Sequence, residues 1–379
     1  MEQHTIHRRK FLKTGILSLG GILLSPTILN SKSKSKEYSY WIDIIEYARW
    51  APSPHNMQPW KIEILSSKKA TLYYNTERLL PAGDPDFKFM TMGMGIFIEY
   101  MNIAANKWGK HIEYTEKIEM LTDKQKGNIP FCSLEIKDGK MEKNIDPEAI
   151  LKRKTSRLHY TGEAVPSYFM DILANEAKMH KSTLKYSAND ELVDWLNSVN
   201  QQALFHDLKD KAVREELDNL FRYTNKEAEM IPDGLSAKCM GFPGKLLHSV
   251  MNEHERWTKG FRSKALKKLY KNSFNGTKTI SWVSGEWNSA EDMMRAGKLF
   301  GRIWLLVTQS GYVLQPMGSL ITNTEAHQQI KSKLGGENDK EVLWLIFRIG
   351  KSQEPPRSER YGTTHLTIEE INNEYKIES

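Results

Sequence analysis

Hydrophobic and polar positions divide the chain into segments with helical spacing and segments that alternate. Helical spacing predicts a helix over Tyr40–Trp50, which Pro52 ends. Alternation then predicts a strand at Trp60–Leu65, and Ala70–Tyr74 is expected to pair with it. The stretch Leu79–Phe87 is rich in Pro, Gly and Asp, which indicates a loop.

The same periodicities predict the remaining elements. Helices are expected at Phe89–Trp108, Asp146–Arg153, Ser167–Lys178, Leu192–Asn225 and Ala290–Ser310. Strands are expected at His111–Glu116, Cys132–Lys137, Leu184–Ser187, Thr279–Ser284 and Val342–Ile349. Met230–Tyr270 lacks clean periodicity, which suggests an excursion or lid. Helices and strands that alternate around a buried sheet indicate an α+β fold.

Two long apolar helices are expected to have their opening and closing glycines equally far apart. Met94-Gly95 is expected to open a helix that ends at Gly109, and Ala296-Gly297 to open one that ends at Gly311. Equal spacing alone is weak evidence, because glycine commonly ends helices. Together with a similar order of elements in both halves, it indicates an internal repeat.

Composition is that of a soluble globular protein, with 379 residues, 39% of them hydrophobic. The net charge of +7 favours anionic ligands or surfaces. The sequence contains no basic stripe with interleaved aromatic residues, so it does not indicate a nucleic-acid binder. Cys132 and Cys239 could form one disulfide or remain two buried thiols, and they lack metal-site spacing. The basic run from Arg262 to Lys271 is interpreted as a solvated face or as a contact with an anionic membrane.

Residues 1–37 predict an export signal and a linker. Arg8 and Arg9 form a twin-arginine pattern, and the glycine-rich apolar run that follows is too short for a comfortable membrane span. Twin-arginine signals export folded proteins, so the expected location is periplasmic or membrane-associated. The segment could remain as an anchor, and an ordinary secretory signal is the alternative.

Two segments carry candidate chemistry. A stiff polar loop between prolines leads directly into the first strand, which suits a flat ligand. Its candidate binding residues are Pro52, Ser53, His55, Asn56 and Gln58. In the second segment, Arg153 and Arg157 flank hydroxyl side chains that include Thr155, a set suited to a phosphate. A solvated basic run is the alternative interpretation.

Both segments resemble the nitroreductase family. The match in the first segment is Pro52-Ser53 with Asn56, Gln58, Pro59 and Trp60, which resembles the flavin-facing loop. Arg153, Thr155 and Arg157 resemble an Arg-x-Ser-x-Arg segment, with Thr replacing Ser. The resemblance implies FMN, with Arg153, Thr155 and Arg360 on its phosphate; Arg357 is the alternative to Arg360. It also implies Arg157 near the ribityl chain or pyrimidine edge, and Ser53 and Asn56 on the ring. His55 and Tyr160 are expected to face substrate or to serve packing.

The family builds each flavin site from both subunits of a homodimer, whereas here the two segments lie in different halves. The chain therefore resembles the fused (Acg-type) branch, an intramolecular pseudo-dimer with one flavin site. The implied halves are residues 38–145 and 146–379, the second with a lid-like insertion at about 200–278. Such a fusion is compatible with a monomer.

A third segment follows the second long helix. Pro316, Met317 and Gly318 lie where the family places backbone groups against the flavin N5 atom, and a plain helix end with a strand is the alternative. The expected function is an FMN-dependent oxidoreductase that reduces a flat acceptor, a nitroaromatic, quinone or enone, with an unidentified electron donor. The alternative is a protein that sequesters flavin with little or no turnover. No metal motif is present in the sequence.

Overall fold

The computed structural model describes residues 40–114, 117–139, 144–334 and 341–368. Helices of the first part are α1 (40–48), α2 (Lys88–Ala105), α3 (Glu148–Lys152) and α4 (Ser167–Met179). Those that follow are α5 (Asp190–Asp207), α6 (Lys211–Leu220), α7 (Asn225–Met230), α8 (Ala237–Met240), α9 (Gly244–Asn252), α10 (His254–Trp257), α11 (Gly260–Asn272), α12 (Ala290–Gln309), α13 (Ser319–Thr322), α14 (Thr324–Leu334) and α15 (Thr363–Leu366).

The strands form two main sheets and a short parallel pair. They are β1 (Trp60–Ile64), β2 (Lys69–Asn75), β3 (Lys110–Tyr114), β4 (Asn128–Asp138), β5 (Ser182–Ser187), β6 (Phe221–Arg222), β7 (Leu235–Ser236), β8 (Thr279–Gly285), β9 (Val313–Pro316), β10 (Val342–Gly350) and β11 (Thr367–Ile368). The first sheet has the order β11-β1-β2-β4-β3, and the second has the order β5-β8-β10-β9.

The two sheets repeat one topology. In each, a helix precedes the first strand and a long helix follows the second strand. Of the two strands that come next in the sheet's chain order, the later one pairs with the second strand and the earlier one lies at the edge of the sheet. The strands β1, β2, β4 and β3 are antiparallel, as are β5, β8, β10 and β9. The predicted α+β fold with two tandem half-units is confirmed.

The long helices α2 and α12 cross between the half-units. A Cβ atom at Gly95 would lie 2.6 Å from the Met294 carbonyl oxygen, and one at Gly297 would lie 2.1 Å from the Met92 carbonyl oxygen. Met92 and Met294 are as far apart in sequence as Gly95 and Gly297, so each helix meets its counterpart through equivalent positions. This reciprocity is the contact pattern of a twofold interface. The prediction that these glycines open the helices was wrong, because they lie inside α2 and α12 at the crossing.

The chain between β5 and β8 forms an insertion of seven helices, α5 to α11. The single helix predicted over Leu192–Asn225 was wrong. The α5 helix ends at Asp207, and Asp210 then caps α6 by accepting hydrogen bonds from the Ala212 and Val213 amides. Met230–Tyr270, which lacks clean periodicity in the sequence, folds mainly as helices α8 to α11.

The export signal predicted over residues 1–37 lies outside the described residues. Among the described helices, none is long and apolar enough to cross a membrane. Cys132 and Cys239 are buried free thiols, which corresponds to the second of the two alternatives for these cysteines.

Candidate functional site

The polar loop before β1 is held in an uncommon backbone conformation. His55, Asn56 and Gln58 have positive φ angles of 46°, 61° and 50°, a region that side chains with a Cβ rarely adopt. The Ser53 Oγ atom supports the turn by accepting a hydrogen bond from the Gln58 amide at 2.9 Å. Pro54 starts a single 3-10 turn that carries His55 and Asn56. Such local strain is characteristic of functional loops.

Contacts from distant parts of the chain stabilise this loop. The Asn56 side-chain amide donates to the Glu359 carbonyl oxygen at 3.1 Å. The Gln58 side chain donates to the Pro232 carbonyl oxygen at 2.8 Å and accepts from the Tyr361 amide at 3.0 Å. The loop therefore contacts both the insertion and the segment that follows β10.

Four arginines from two separate segments line a small polar cavity beside the loop. Arg153 and Arg157 follow α3, whereas Arg357 and Arg360 follow β10. The remaining lining residues are Trp50, Lys154, Thr155, Cys239, Pro356 and Ser358. Segments predicted to share a site, around Arg153 and Arg360, are thus brought together by the fold.

The arginines carry buried donors that lack partners. Arg153 Nε and Nη1, Arg357 Nε and Nη2, and Arg360 Nε have no hydrogen-bond acceptor. Among the described residues, none of the four cavity arginines forms an ion pair with a carboxylate. Buried charged groups are costly unless paired, so this cluster needs an anion.

Burial and mutual repulsion both act on the guanidinium groups. Burial lowers the pKa of Arg360 to about 9, and the charges of Arg153 and Arg357 contribute to the same shift. Burial and neighbouring arginines lower the pKa of Arg357 to about 10. Burial also lowers the pKa values of Arg153 and Arg157. A bound anion would relieve this repulsion.

Aromatic rings and carbonyls fix the orientation of the arginines. The Arg153 guanidinium lies 4.6 Å from the Trp304 ring centroid and donates to the Trp50 carbonyl oxygen at 3.3 Å. The Arg357 guanidinium lies 3.2 Å from the Trp50 ring centroid. Arg157 donates to the Cys239 carbonyl oxygen at 3.2 Å, which connects the site to the insertion. The cluster is therefore preorganised by its surroundings.

Further unpartnered atoms lie in the polar loop and at Tyr100 of α2. The His55 Nδ1 atom and the Asn56 Oδ1 atom are buried without hydrogen-bond partners, as is the Tyr100 hydroxyl. Burial, together with the nearby Arg157 charge, lowers the pKa of His55 to about 4, so the imidazole is neutral near pH 7. Burial raises the pKa of the Tyr100 hydroxyl, and the charges of Arg153 and Arg360 act in the opposite direction. These atoms remain available to a polar ligand.

The other predicted site residues have different surroundings. Thr155 lines the cavity and pairs with Leu314 of β9 in a parallel bridge. Pro52 is buried at the start of the loop. Pro316, Met317 and Gly318 do not line the cavity, and the Met317 amide already donates to the Ile346 carbonyl oxygen at 2.9 Å. The Met317 amide thereby continues the pairing of β9 with β10. That Pro316, Met317 and Gly318 place backbone groups against the flavin N5 atom stays a prediction.

Sequence reasoning gave Arg357 only as an alternative and missed Trp50, Cys239, Asp233 and Tyr361. Trp50 carries a signal, since it stands directly before the polar loop. Asp233 carries none, because two of its three partners, Arg78 and Tyr361, lie 155 and 128 residues away in the chain. Its carboxylate accepts from Arg78 Nη1 at 2.9 Å, from the Tyr361 hydroxyl at 2.9 Å, and from Arg222.

Exchanging Asp233 for Asn should destabilise the protein by about 2–4 kcal/mol at pH 7, since two guanidinium groups lose their common partner. Burial acts to raise the pKa of Asp233, but hydrogen bonds from Arg222 and Tyr361 and the nearby charges lower it overall. The stabilisation is therefore present above the ordinary pKa of 3.8 and lost as pH falls through the lower folded value.

Urea unfolding at pH 7 and at decreasing pH measures this effect. The difference between wild type and Asp233→Asn should shrink below about pH 4. Asp86→Asn is the matched control, because the Asp86 carboxylate is 74% exposed and lies 3.7 Å from Lys88. A destabilisation of equal size in both variants would contradict a specific role for Asp233.

Comparison with known proteins gives matches among solved structures. No protein-family model and no curated protein sequence matches the chain. The FMN-dependent nitroreductase NfnB from Mycobacterium smegmatis, in complex with NADPH, is 14% identical; the match covers 59% of this chain and 96% of that one, with a TM-score of 0.37. A nitroreductase with bound FMN from Desulfitobacterium hafniense is 11% identical, covering 59% and 97%, with a TM-score of 0.37. A nitroreductase-like protein from Bacillus cereus is 17% identical, covering 59% and 95%, with a TM-score of 0.33.

Proposed function

We propose that this protein binds one FMN and serves as a nitroreductase-like oxidoreductase. The observation that carries the proposal is the cavity of four arginines, whose five unpartnered guanidinium nitrogens face no carboxylate among the described residues. Such a site fits a phosphate monoester, because guanidinium groups bind phosphate oxygens in a fixed geometry. The neighbouring polar loop offers unpartnered atoms to the rest of the ligand.

Different residues of the chain would bind different parts of the ligand. Arg153, Arg360 and Thr155 would hold the phosphate, and Arg357 would add a further cation. Asn56 Oδ1 and His55 Nδ1 would bond the polar edge of the ring, since both are buried without partners. The bound flavin would supply hydride and electron transfer, and the chain would supply position and charge.

The acceptor we propose is flat: a nitroaromatic, a quinone or an enone. A stiff loop on one side and the insertion on the other would favour a planar molecule over a bulky one. The described residues offer no clear general acid beside the loop, because His55 is neutral and its pKa is about 4. Protons would then come from solvent.

A second function, flavin sequestration, is favoured by the position of the insertion. Gln58 bonds the Pro232 carbonyl oxygen, Arg157 bonds the Cys239 carbonyl oxygen, and Tyr361 bonds Asp233. The insertion thereby contacts both the polar loop and the lining of the arginine cavity, which would restrict the entry of an acceptor. A protein of this kind would retain FMN and turn over slowly.

Comparing the dissociation constants of FMN and riboflavin tests the site. Two charge-assisted hydrogen bonds to the phosphate contribute about 3–6 kcal/mol together, so FMN should bind at least about 100-fold more tightly than riboflavin. Inorganic phosphate should compete with FMN. Equal affinities for FMN and riboflavin, or no flavin binding, would refute the proposed site.

Reduction experiments then separate the two functions. If the protein is an enzyme, NADH, NADPH or a quinol should bleach the absorbance of its bound flavin. Adding a nitroaromatic or a quinone should then restore the absorbance. Bleaching by dithionite alone, with no recovery by any acceptor, would favour sequestration. The donor that bleaches the flavin fastest shows which class of reductant the protein accepts.

A further inference from the structure

The helix α11 of the insertion exposes an unusual apolar line. Phe261, Ala265 and Leu269 recur every four residues and therefore lie along one side of the helix. Phe261 is 85% exposed, more than any other large hydrophobic side chain in the described part of the chain, and Leu269 is 41% exposed. Exposed apolar side chains that adjoin one another in this way are a feature of contact surfaces.

Cationic side chains border this line. They are Arg262, Lys264, Lys268 and Lys271, and the helix contains no acidic residue. None of these four forms an ion pair with any described residue, whereas Lys267 lies on the α5 side with its ammonium 5.6 Å from the Phe205 ring centroid. Lys264 and Lys268 lie four residues apart on the line next to Phe261 and Ala265. The exposed face thus combines apolar and unpaired cationic groups.

The opposite side of α11 is fixed to the protein. Ser263 and Leu266 are buried, and Asn200 of α5 donates to the Tyr270 hydroxyl at 2.8 Å. Gln201 of α5 donates to the Lys267 carbonyl oxygen at 2.5 Å. Because α5 holds the inner side of the helix, the apolar and cationic face has a fixed outward orientation.

We propose that this face of α11 docks on an anionic lipid bilayer. Its cations complement the charge of lipid phosphates, and its apolar line reaches the boundary of the acyl chains, as in interfacial amphipathic helices. A nucleic acid would use the cations and leave Phe261 and Leu269 without a role. No residue of this face lines the arginine cavity.

Partitioning of the full-length protein between buffer and vesicles tests this proposal. One set of vesicles contains phosphatidylcholine alone and the other contains phosphatidylglycerol as well. The measured quantity is the increase in binding that phosphatidylglycerol causes, so any charge-independent contribution from the rest of the chain cancels. We expect a salt-sensitive increase for the wild type.

Two variants separate the apolar and the cationic contributions. Phe261→Ser with Leu269→Ser should reduce the increase at least about fivefold, and Lys264→Gln with Lys268→Gln and Lys271→Gln should remove most of it. Met230→Ser is the matched control, because Met230 is 69% exposed on α7 of the same insertion. Unchanged melting temperatures would verify that the variants fold.

Equal binding of the wild type and the serine variant to anionic vesicles would overturn the proposal. So would tight binding to duplex DNA that the serine variant retains, since it would assign the cations to a nucleic acid. Loss of flavin binding in other variants has no bearing on this result, because α11 does not line the arginine cavity.

Discussion

Replacing Arg153 and Arg360 together by methionine should weaken FMN binding by about two to four orders of magnitude. Each guanidinium would lose charge-assisted hydrogen bonds worth about 1.5–3 kcal/mol to the phosphate. Methionine keeps much of the side-chain volume, so the cavity walls should remain in place. Fluorescence titration with FMN measures the loss, and riboflavin affinity should change little.

The same substitutions should make the flavin-free protein more stable, by about 1–2 kcal/mol. Without an anion, Arg153, Arg357 and Arg360 repel one another in a desolvated cavity, and burial together with this repulsion holds the pKa of Arg360 at about 9. Removing two like charges relieves the repulsion, which is the usual relation between a strained site and stability. Lys351→Met is the control, because Lys351 is an exposed cation outside the cavity. Destabilisation of the flavin-free double variant would argue against an anion site.

Exchanging Gly297 for Ala should destabilise the protein by about 3 kcal/mol or more. The new Cβ would lie 2.1 Å from the Met92 carbonyl oxygen and 3.0 Å from the Ile96 amide nitrogen. Both atoms belong to the backbone of α2, so relief requires the two long helices to separate. The gain in helix propensity, about 1 kcal/mol, is smaller than this cost.

Gly93→Ala is the matched control for Gly297→Ala. Gly93 also lies inside a long helix, but its added Cβ would make an ordinary contact at 3.4 Å with the Pro54 side chain. This variant should be neutral or slightly more stable. Thermal and urea unfolding of both variants give the comparison. Similar unfolding free energies would show that the helix crossing tolerates separation.

Local patterns predicted the regular elements of the two half-units well. Periodicity located α2 and α12, alternation located β1, and a continuous apolar run located β10, because these segments bury one face or both faces against a continuous core. The role of Gly95 and Gly297 was not accessible in the same way. A glycine that permits a helix crossing has the same local sequence signal as one that ends a helix, and only the packing partner distinguishes them.

The candidate site was predicted in part for the same reason. Arg153 and Arg157 are four residues apart, so a single short segment was enough to indicate a phosphate site. Arg357 gave a weaker signal, since its contribution depends on Trp50, which stacks on it from far away in sequence. Asp233 could not be recognised at all, because its three donors come from three different parts of the chain.

The reciprocal crossing of α2 and α12 determines how the protein responds to dilution. A twofold interface between separate chains dissociates as protein concentration falls, and any site shared across it is lost with it. Here both sides of the interface belong to one chain, so their effective concentration is fixed by the connection between them. A site built from both half-units would therefore stay assembled at concentrations where a two-chain assembly would dissociate. The melting temperature of the protein would not depend on protein concentration.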